Sequence, residues 1–267
     1  MLPLLQIDAF TSEAFAGNPA AVCFLDTERD TTWLQSVAAE MNLSETAFLL
    51  PIEGSDGPAW SLRWFTPSVE IDLCGHATLA SAHAIWETGR QPARSRSAFS
   101  TRSGWLFAVQ EGNAIELDFP ATPVTPAPEP PGLLEALGLE RGHAVYRNRF
   151  DYLVELPDEG VVVALDPNHS AFRAVEARGI IVTAPSKAAN VDFVSRFFAP
   201  GSGVDEDPVT GSAHCALAPF WGERFGRTEM TGYQASRRGG TVHVRLDGDR
   251  VVLGGHAVTV LRGELVC

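Results

Sequence analysis

Two stretches of the chain put chemically able side chains at what read as helix starts. "DEDPVTGSAHCAL" (Asp205 to Leu217) runs three carboxylates into Pro208, then Thr210-Gly211-Ser212, then a small-residue helical pattern. "CGHATLASAHA" (Cys74 to Ala84) sets Cys74, Gly75 and His76 before a similar alanine-rich run. Acids and hydroxyls at such a boundary commonly cap, because their oxygens satisfy the free N–H groups of the first turn. A glycine there also lets the backbone approach a ligand, and the free N–H groups carry partial positive charge suited to a carboxylate or an oxyanion. Either glycine alone reads as a packing residue. Its occurrence twice, each time followed by a polar residue (His76, Ser212), points to a pair of anion-binding helix starts.

Glu45 is a third candidate. Its neighbours Leu43, Ala47, Phe48 and Leu49 are apolar, which places the carboxylate at the edge of a core, where desolvation raises its pKa toward the range useful for moving protons near neutrality. The alternative is a surface glutamate opening a strand. His76 reads either as a cap or packing residue or as a neutral imidazole, its pKa lowered by the helix N-terminus. Asp207 can cap the helix after Gly211 as well as meet a substrate. His83, His214 and Cys215 continue the alanine-rich patterns and read as helix-face or core residues. No pair of histidines has metal-ligand spacing, and Cys23, Cys74, Cys215 and Cys267 lie far apart without CxxC, so neither a zinc site nor a disulfide framework is expected.

The elements that must position these groups repeat. "RWFTP" (Arg63 to Pro67) precedes the Gly75 segment as "RFFAP" (Arg196 to Pro200) precedes the Gly211 segment, and each copy ends near a tryptophan, Trp86 or Trp221. From arginine to glycine the second copy is longer by three residues. Most of the remainder reads as strand: "LPLLQIDAF", "TAFLLP", "VVVALD", "GIIVTAP", "VDFVSRFF", "TVHVRL" and "HAVTVL", bounded by Gly, Pro, Asn or Asp. "TTWLQSVAAEMN" has helical spacing, with Thr31 as cap and Asn42 as stop. The Pro-rich stretch from Asp118 to Gly132 excludes regular helix and central strand and reads as a linker over 119–131. Two similar α/β halves follow, 1–118 and 132–256, with a last strand near 257–266 that can return to the first; a cleft between halves is where a small-ligand site is expected.

A chain of 267 residues with 45% hydrophobic residues can bury a full core. With 33 acidic against 20 basic residues, the surface is expected to repel nucleic acid and anionic membranes. No run of about 18 uncharged apolar residues occurs and the start lacks a signal-peptide pattern, which gives a soluble, cytoplasmic expectation.

"GNPAAV" (Gly17 to Val22), "NLSETAFL" (Asn42 to Leu49), "CGHATLASAHA" and "DEDPVTGSAHCAL", with the closing "GGHAVTVLRGEL" (Gly254 to Leu265), resemble the signature stretches of the PhzF family of phenazine-biosynthesis isomerase-like proteins. The resemblance implies the α+β diaminopimelate epimerase-like fold, two similar domains each with a curled mixed sheet around a central helix. It implies Glu45 as catalytic acid/base supported by His76 and Asp207, and Asn18, Gly75, His76, Thr210, Gly211 and Ser212 in substrate binding. It further implies a cofactor-independent isomerase without a metal, acting on a small carboxylate-bearing metabolite, and a homodimer. The rival within the fold is a two-base racemase or epimerase with one thiol from each helix start. Cys74 occupies the first such place, and Pro208 is aligned with the second, which leaves the thiol without a partner. A small-anion binding protein without turnover and a serine hydrolase on Ser212 are the other readings; "TGSAH" lacks the G-x-S-x-G elbow the last would need.

Overall fold

Runs of β-branched and aromatic residues form strands throughout the computed structural model, which describes residues 1–54, 57–140, 142–172, 175–199 and 204–266. Pro200 and Cys267 lie outside the described residues. The chain divides into two units, Met1–Asp118 with Val252–Cys267, and Phe119–Val251.

In the first unit Leu2–Ala9 pairs antiparallel with both Ala257–Leu265 and Asn18–Phe24. Asn18–Phe24 runs parallel to Glu45–Gly54, which pairs antiparallel with Gly57–Phe65. Gly57–Phe65 then runs parallel to Ser97–Thr101 and antiparallel to the two-residue strand Glu70–Ile71. Gly104–Glu111 and Ala114–Pro120 continue the sheet antiparallel. The helix Gly75–Glu87 touches the first, second, third and last strands of this unit. It is buried on nearly every side, from His76 through Ile85 apart from His83, as expected of a helix wrapped by a curled sheet. Its buried hydroxyls are satisfied internally: Thr78 donates to the Cys74 carbonyl and Ser81 to that of Ala77.

The second unit repeats the series. Ala144–Arg147 pairs antiparallel with Thr125–Pro126 and with Asp151–Glu155. Asp151–Glu155 runs parallel to Gly179–Pro185, and that strand antiparallel to Phe193–Ala199. Phe193–Ala199 runs parallel to Glu229–Gln234 and antiparallel to Val204–Asp207; Gly240–Asp247 follows antiparallel. The helix Gly211–Phe225 is its central helix, buried from Gly211 to Gly222 apart from Ser212 and Pro219. The repeat read from "RWF" and "RFF" is therefore a duplication of fold.

The two copies are tied in the same way. Arg63 donates from Nε and Nη2 to the Glu70 carboxylate at 2.7 and 2.9 Å, and Arg196 does so to Glu206 at 2.6 and 2.9 Å. Each guanidinium also lies over the phenylalanine two residues on, Phe65 at 5.1 Å and Phe198 at 5.0 Å. A bidentate pair fixes both distance and orientation. The three extra residues of the second copy fall between Arg196 and Glu206, so from Glu70 and Glu206 onward the copies align without a gap, and Thr210, not Pro208, stands opposite Cys74.

Three local expectations change. "VVVALD" is helical at Glu159–Ala164, because Asp158 caps it by accepting from the Val161 N–H at 3.2 Å and Val162 is buried. The helix Thr31–Met41 is capped by Asp30, whose carboxylate accepts from the Trp33 N–H at 2.8 Å; Asn42 ends it in the left-handed region. The Pro-rich stretch contributes the short strand Thr125–Pro126 to the second unit.

Candidate active site

Glu45 opens the third strand of the first unit, opposite Ala20 in the neighbouring parallel strand. Asn18 opens that neighbouring strand, delivered by Gly17, whose φ of 63° and a would-be Cβ only 2.2 Å from the Ala9 carbonyl admit no larger residue. Cys74 and His76 come from the start of the central helix. The other three meet around the His76 ring. Its Nε2 lies 3.0 Å from Glu45 Oε2. Its Nδ1 lies 3.1 Å from Asn18 Nδ2 and 3.5 Å from Cys74 Sγ. The imidazole is 4% exposed and the carboxylate 15%.

The Glu45–His76 contact has the distance of an ion pair, and both Oε2 and Nε2 are buried from solvent. Burial pushes the His76 pKa down, but the Cys74 sulfur and the Glu45 carboxylate beside it more than reverse this and hold it well above the usual imidazole value. The sulfur acts so only when ionised. Burial also pushes the Cys74 thiol up, so near neutrality the Glu45 carboxylate is the charge that matters. The neutral His76 expected from the helix N-terminus is thus overturned by a nearer, opposite charge. Asn18 can serve either state: Nδ2–H donates to a neutral Nδ1, and the rotated amide presents Oδ1 to an imidazolium.

Glu45, Cys74 and His76 bring a carboxylate, a thiol and an imidazole within 4.8 Å of one another, a donor set able to hold a metal ion.

In the second unit the residue at the Glu45 position is Gly179. Thr46 pairs with Phe65 and Ile180 with Phe198, one residue further along in each unit. A Cβ at Gly179 would lie 2.1 Å from the Phe197 ring, so an aromatic fills the space where the first unit carries its carboxylate. Ser212, half-buried, is the counterpart of His76 in the repeat, and Thr210 that of Cys74. Thr210 donates its hydroxyl to Asp207 Oδ2 at 2.5 Å. Neither Cys74 nor Thr210 caps its own helix through its side chain.

Sequence reasoning missed Gln234 and Ser236. Gln234 is fully buried and accepts from the Thr210 N–H at 2.9 Å while donating to the Asp207 carbonyl at 2.7 Å and Thr210 Oγ1 at 3.2 Å. Ser236 donates to the Pro208 carbonyl at 2.8 Å. The available signal was alternation along Glu229–Gln234, which turns Met230, Gly232 and Gln234 inward and leaves one polar side chain on an apolar face.

A duplicated α+β unit, each copy a mixed sheet about a glycine-started helix, is the architecture of PhzF proteins and epimerases. A crystal structure of a PhzF-family protein from Enterococcus faecalis superposes with a TM-score of 0.92 at 40% identity, covering 100% of this chain and 99% of that one. A hydroxyproline epimerase from Agrobacterium vitis shares the fold at a TM-score of 0.64 and 10% identity over 98% and 91% of the two chains. The profile of the phenazine biosynthesis-like proteins, PhzC-PhzF, matches residues 7–263. An uncharacterized isomerase of Halalkalibacterium halodurans is 53% identical over 265 residues, 99% of this chain and 98% of that protein. The chain belongs to the PhzC/PhzF family and is an isomerase of that type. None of the described helices is long and apolar enough to cross a membrane.

Proposed function

We propose that the protein isomerises a small carboxylate-bearing metabolite without a cofactor, one carboxylate taking a proton from one carbon and returning it to another on the same face. Glu45 is the acid/base in this reading, His76 the neighbouring group that exchanges charge with it, and Asp207, Thr210, Gly211 and Ser212, with Asn18 and Gly75, serve substrate binding and support. The observation that carries it is the buried Glu45 Oε2, 3.0 Å from His76 Nε2. A desolvated acceptor held this way is placed to receive a proton. The asymmetry of the duplication supports a single base: Gly179 replaces the carboxylate and Thr210 the thiol in the second unit. A two-thiol racemase needs a cysteine at both helix starts, and Thr210 does not supply one.

The test is solvent-deuterium incorporation, followed by NMR, across a panel of unsaturated, cyclic, 2-amino and 2-hydroxy carboxylic acids. Glu45→Gln is expected to lower exchange into the responsive acid by roughly 10²–10⁴-fold with binding little changed, and Cys74→Ser to cost far less. Exchange that survives Glu45→Gln and vanishes in Cys74→Ser would overturn the carboxylate mechanism.

A further inference from the structure

The duplication supplies an internal control for separating what the fold needs from what the site needs. Each unit pins the turn before its central helix with a serine: Ser103 donates to the Asp72 carbonyl at 2.7 Å, and Ser236 to the equivalent Pro208 carbonyl at 2.8 Å. That bond belongs to the shared architecture. Two residues before each serine the copies part. Thr101 of the first unit donates to the Gly104 carbonyl within its own hairpin. Gln234, its counterpart beside Ser195 in the second unit, instead spends its whole carboxamide on the Asp207–Thr210 turn.

We propose that Gln234 is a positioning residue for Asp207 and Thr210 of the second unit, fixing the Thr210 hydroxyl and, through it, the Asp207 carboxylate. This rests on the roles proposed above for Asp207 and Thr210. The amide fits in one orientation only. Its oxygen takes the Thr210 N–H and its two N–H bonds reach the Asp207 carbonyl and Thr210 Oγ1; a flip would set oxygen against oxygen and N–H against N–H. With one lone pair of Thr210 Oγ1 taken by Gln234, its proton is directed at Asp207 Oδ2. The hydroxyl is thereby committed to orienting the carboxylate. The first unit folds with the same sheet order and the same serine pin but no such amide, so these three hydrogen bonds are not a requirement of the fold.

The test joins two variants and two readouts. Gln234→Met keeps length and volume without hydrogen bonds. Gln234→Glu keeps the acceptor for Thr210 N–H but has a proton for the Asp207 carbonyl only as the neutral acid, the form that burial favours. For whichever panel acid exchanges fastest, Gln234→Met is expected to lower kcat by about 10²-fold with KM changed less than about threefold, since a misplaced group costs turnover more than binding. Gln234→Glu is expected to match Gln234→Met at alkaline pH and to recover at least about tenfold in kcat, relative to the parent protein, as the pH is lowered. Hydrogen exchange of the Thr210 amide should quicken in Gln234→Met. Parental kcat in Gln234→Met, or a Gln234→Glu profile parallel to the parent's, would overturn the proposal. If Gln234→Met does not fold, the pH profile of Gln234→Glu alone decides. If the parent exchanges no acid but the Thr210 amide responds as stated, the clamp stands and the isomerase reading of the site fails.

Discussion

His76 and His214 are both buried within the first turns of their helices, yet proton binding acts on them in opposite senses. His76 is held above the ordinary imidazole value of 6.5 despite burial, by the Cys74 sulfur where that is ionised and by the Glu45 carboxylate. Its contribution to stability is therefore fully present below 6.5 and is lost as pH rises through the raised value. His214 is pushed down to about 4 by burial, which its bond to the Thr210 carbonyl only partly offsets. Its contribution is present above 6.5 and is lost as pH falls toward 4, a change of roughly 3 kcal/mol at about 1.4 kcal/mol per pH unit. Urea unfolding across pH should show the gap between parent and His76→Gln closing on the alkaline side, and that between parent and His214→Gln closing on the acid side. Gaps that stay constant with pH would refute these assignments.

The arginine clamps show how one element pair is used at two depths. Arg63 and Glu70 are 31% and 12% exposed, while Arg196 and Glu206 are 11% and 19% exposed. Arg196 also donates to the Leu165 carbonyl at 2.7 Å. Removing one partner of a buried pair leaves the other uncompensated, at about 3–5 kcal/mol, whereas exposed pairs contribute about 0–1 kcal/mol. Arg196→Leu is thus expected to destabilise by about 3 kcal/mol and Arg63→Leu by about 1–2 kcal/mol. Denaturant midpoints at unchanged slope measure both, and a larger loss for Arg63→Leu would contradict the argument from depth.

For the molecule as a whole, the first unit is discontinuous. Leu2–Ala9 is paired on one side by Ala257–Leu265, from Leu2 opposite Leu265 to Ala9 opposite Ala257. A fragment ending at Asp118 would expose that strand edge and the core beneath it. It is expected to lack a cooperative unfolding transition, and a fusion of 1–118 to 252–267 through a glycine-serine linker is expected to restore one. Calorimetry on the two fragments decides, and a cooperative transition in 1–118 alone would show that the returning strand is dispensable.

The sequence by itself determined the duplication, the two glycine-started helices and the polar residues within each helix-start motif. These rest on local patterns: aromatic and arginine spacing, small-residue helical runs, and glycine before a polar side chain. Tertiary structure decided the rest, because it depends on which distant residues share a space. The charge of His76 follows from Glu45, which lies 31 positions away in the chain and 3.0 Å away in the fold. Gln234 reaches Thr210 across 24 positions, and no window of sequence contains both. Where the three inserted residues fall, between Arg196 and Glu206, was shown by the pairing of those two side chains. The helical state of "VVVALD" required the Asp158 cap and a core for Val162 to outweigh a β-branched run. Local propensity is written residue by residue, whereas proton affinity and register are properties of neighbours that only folding supplies.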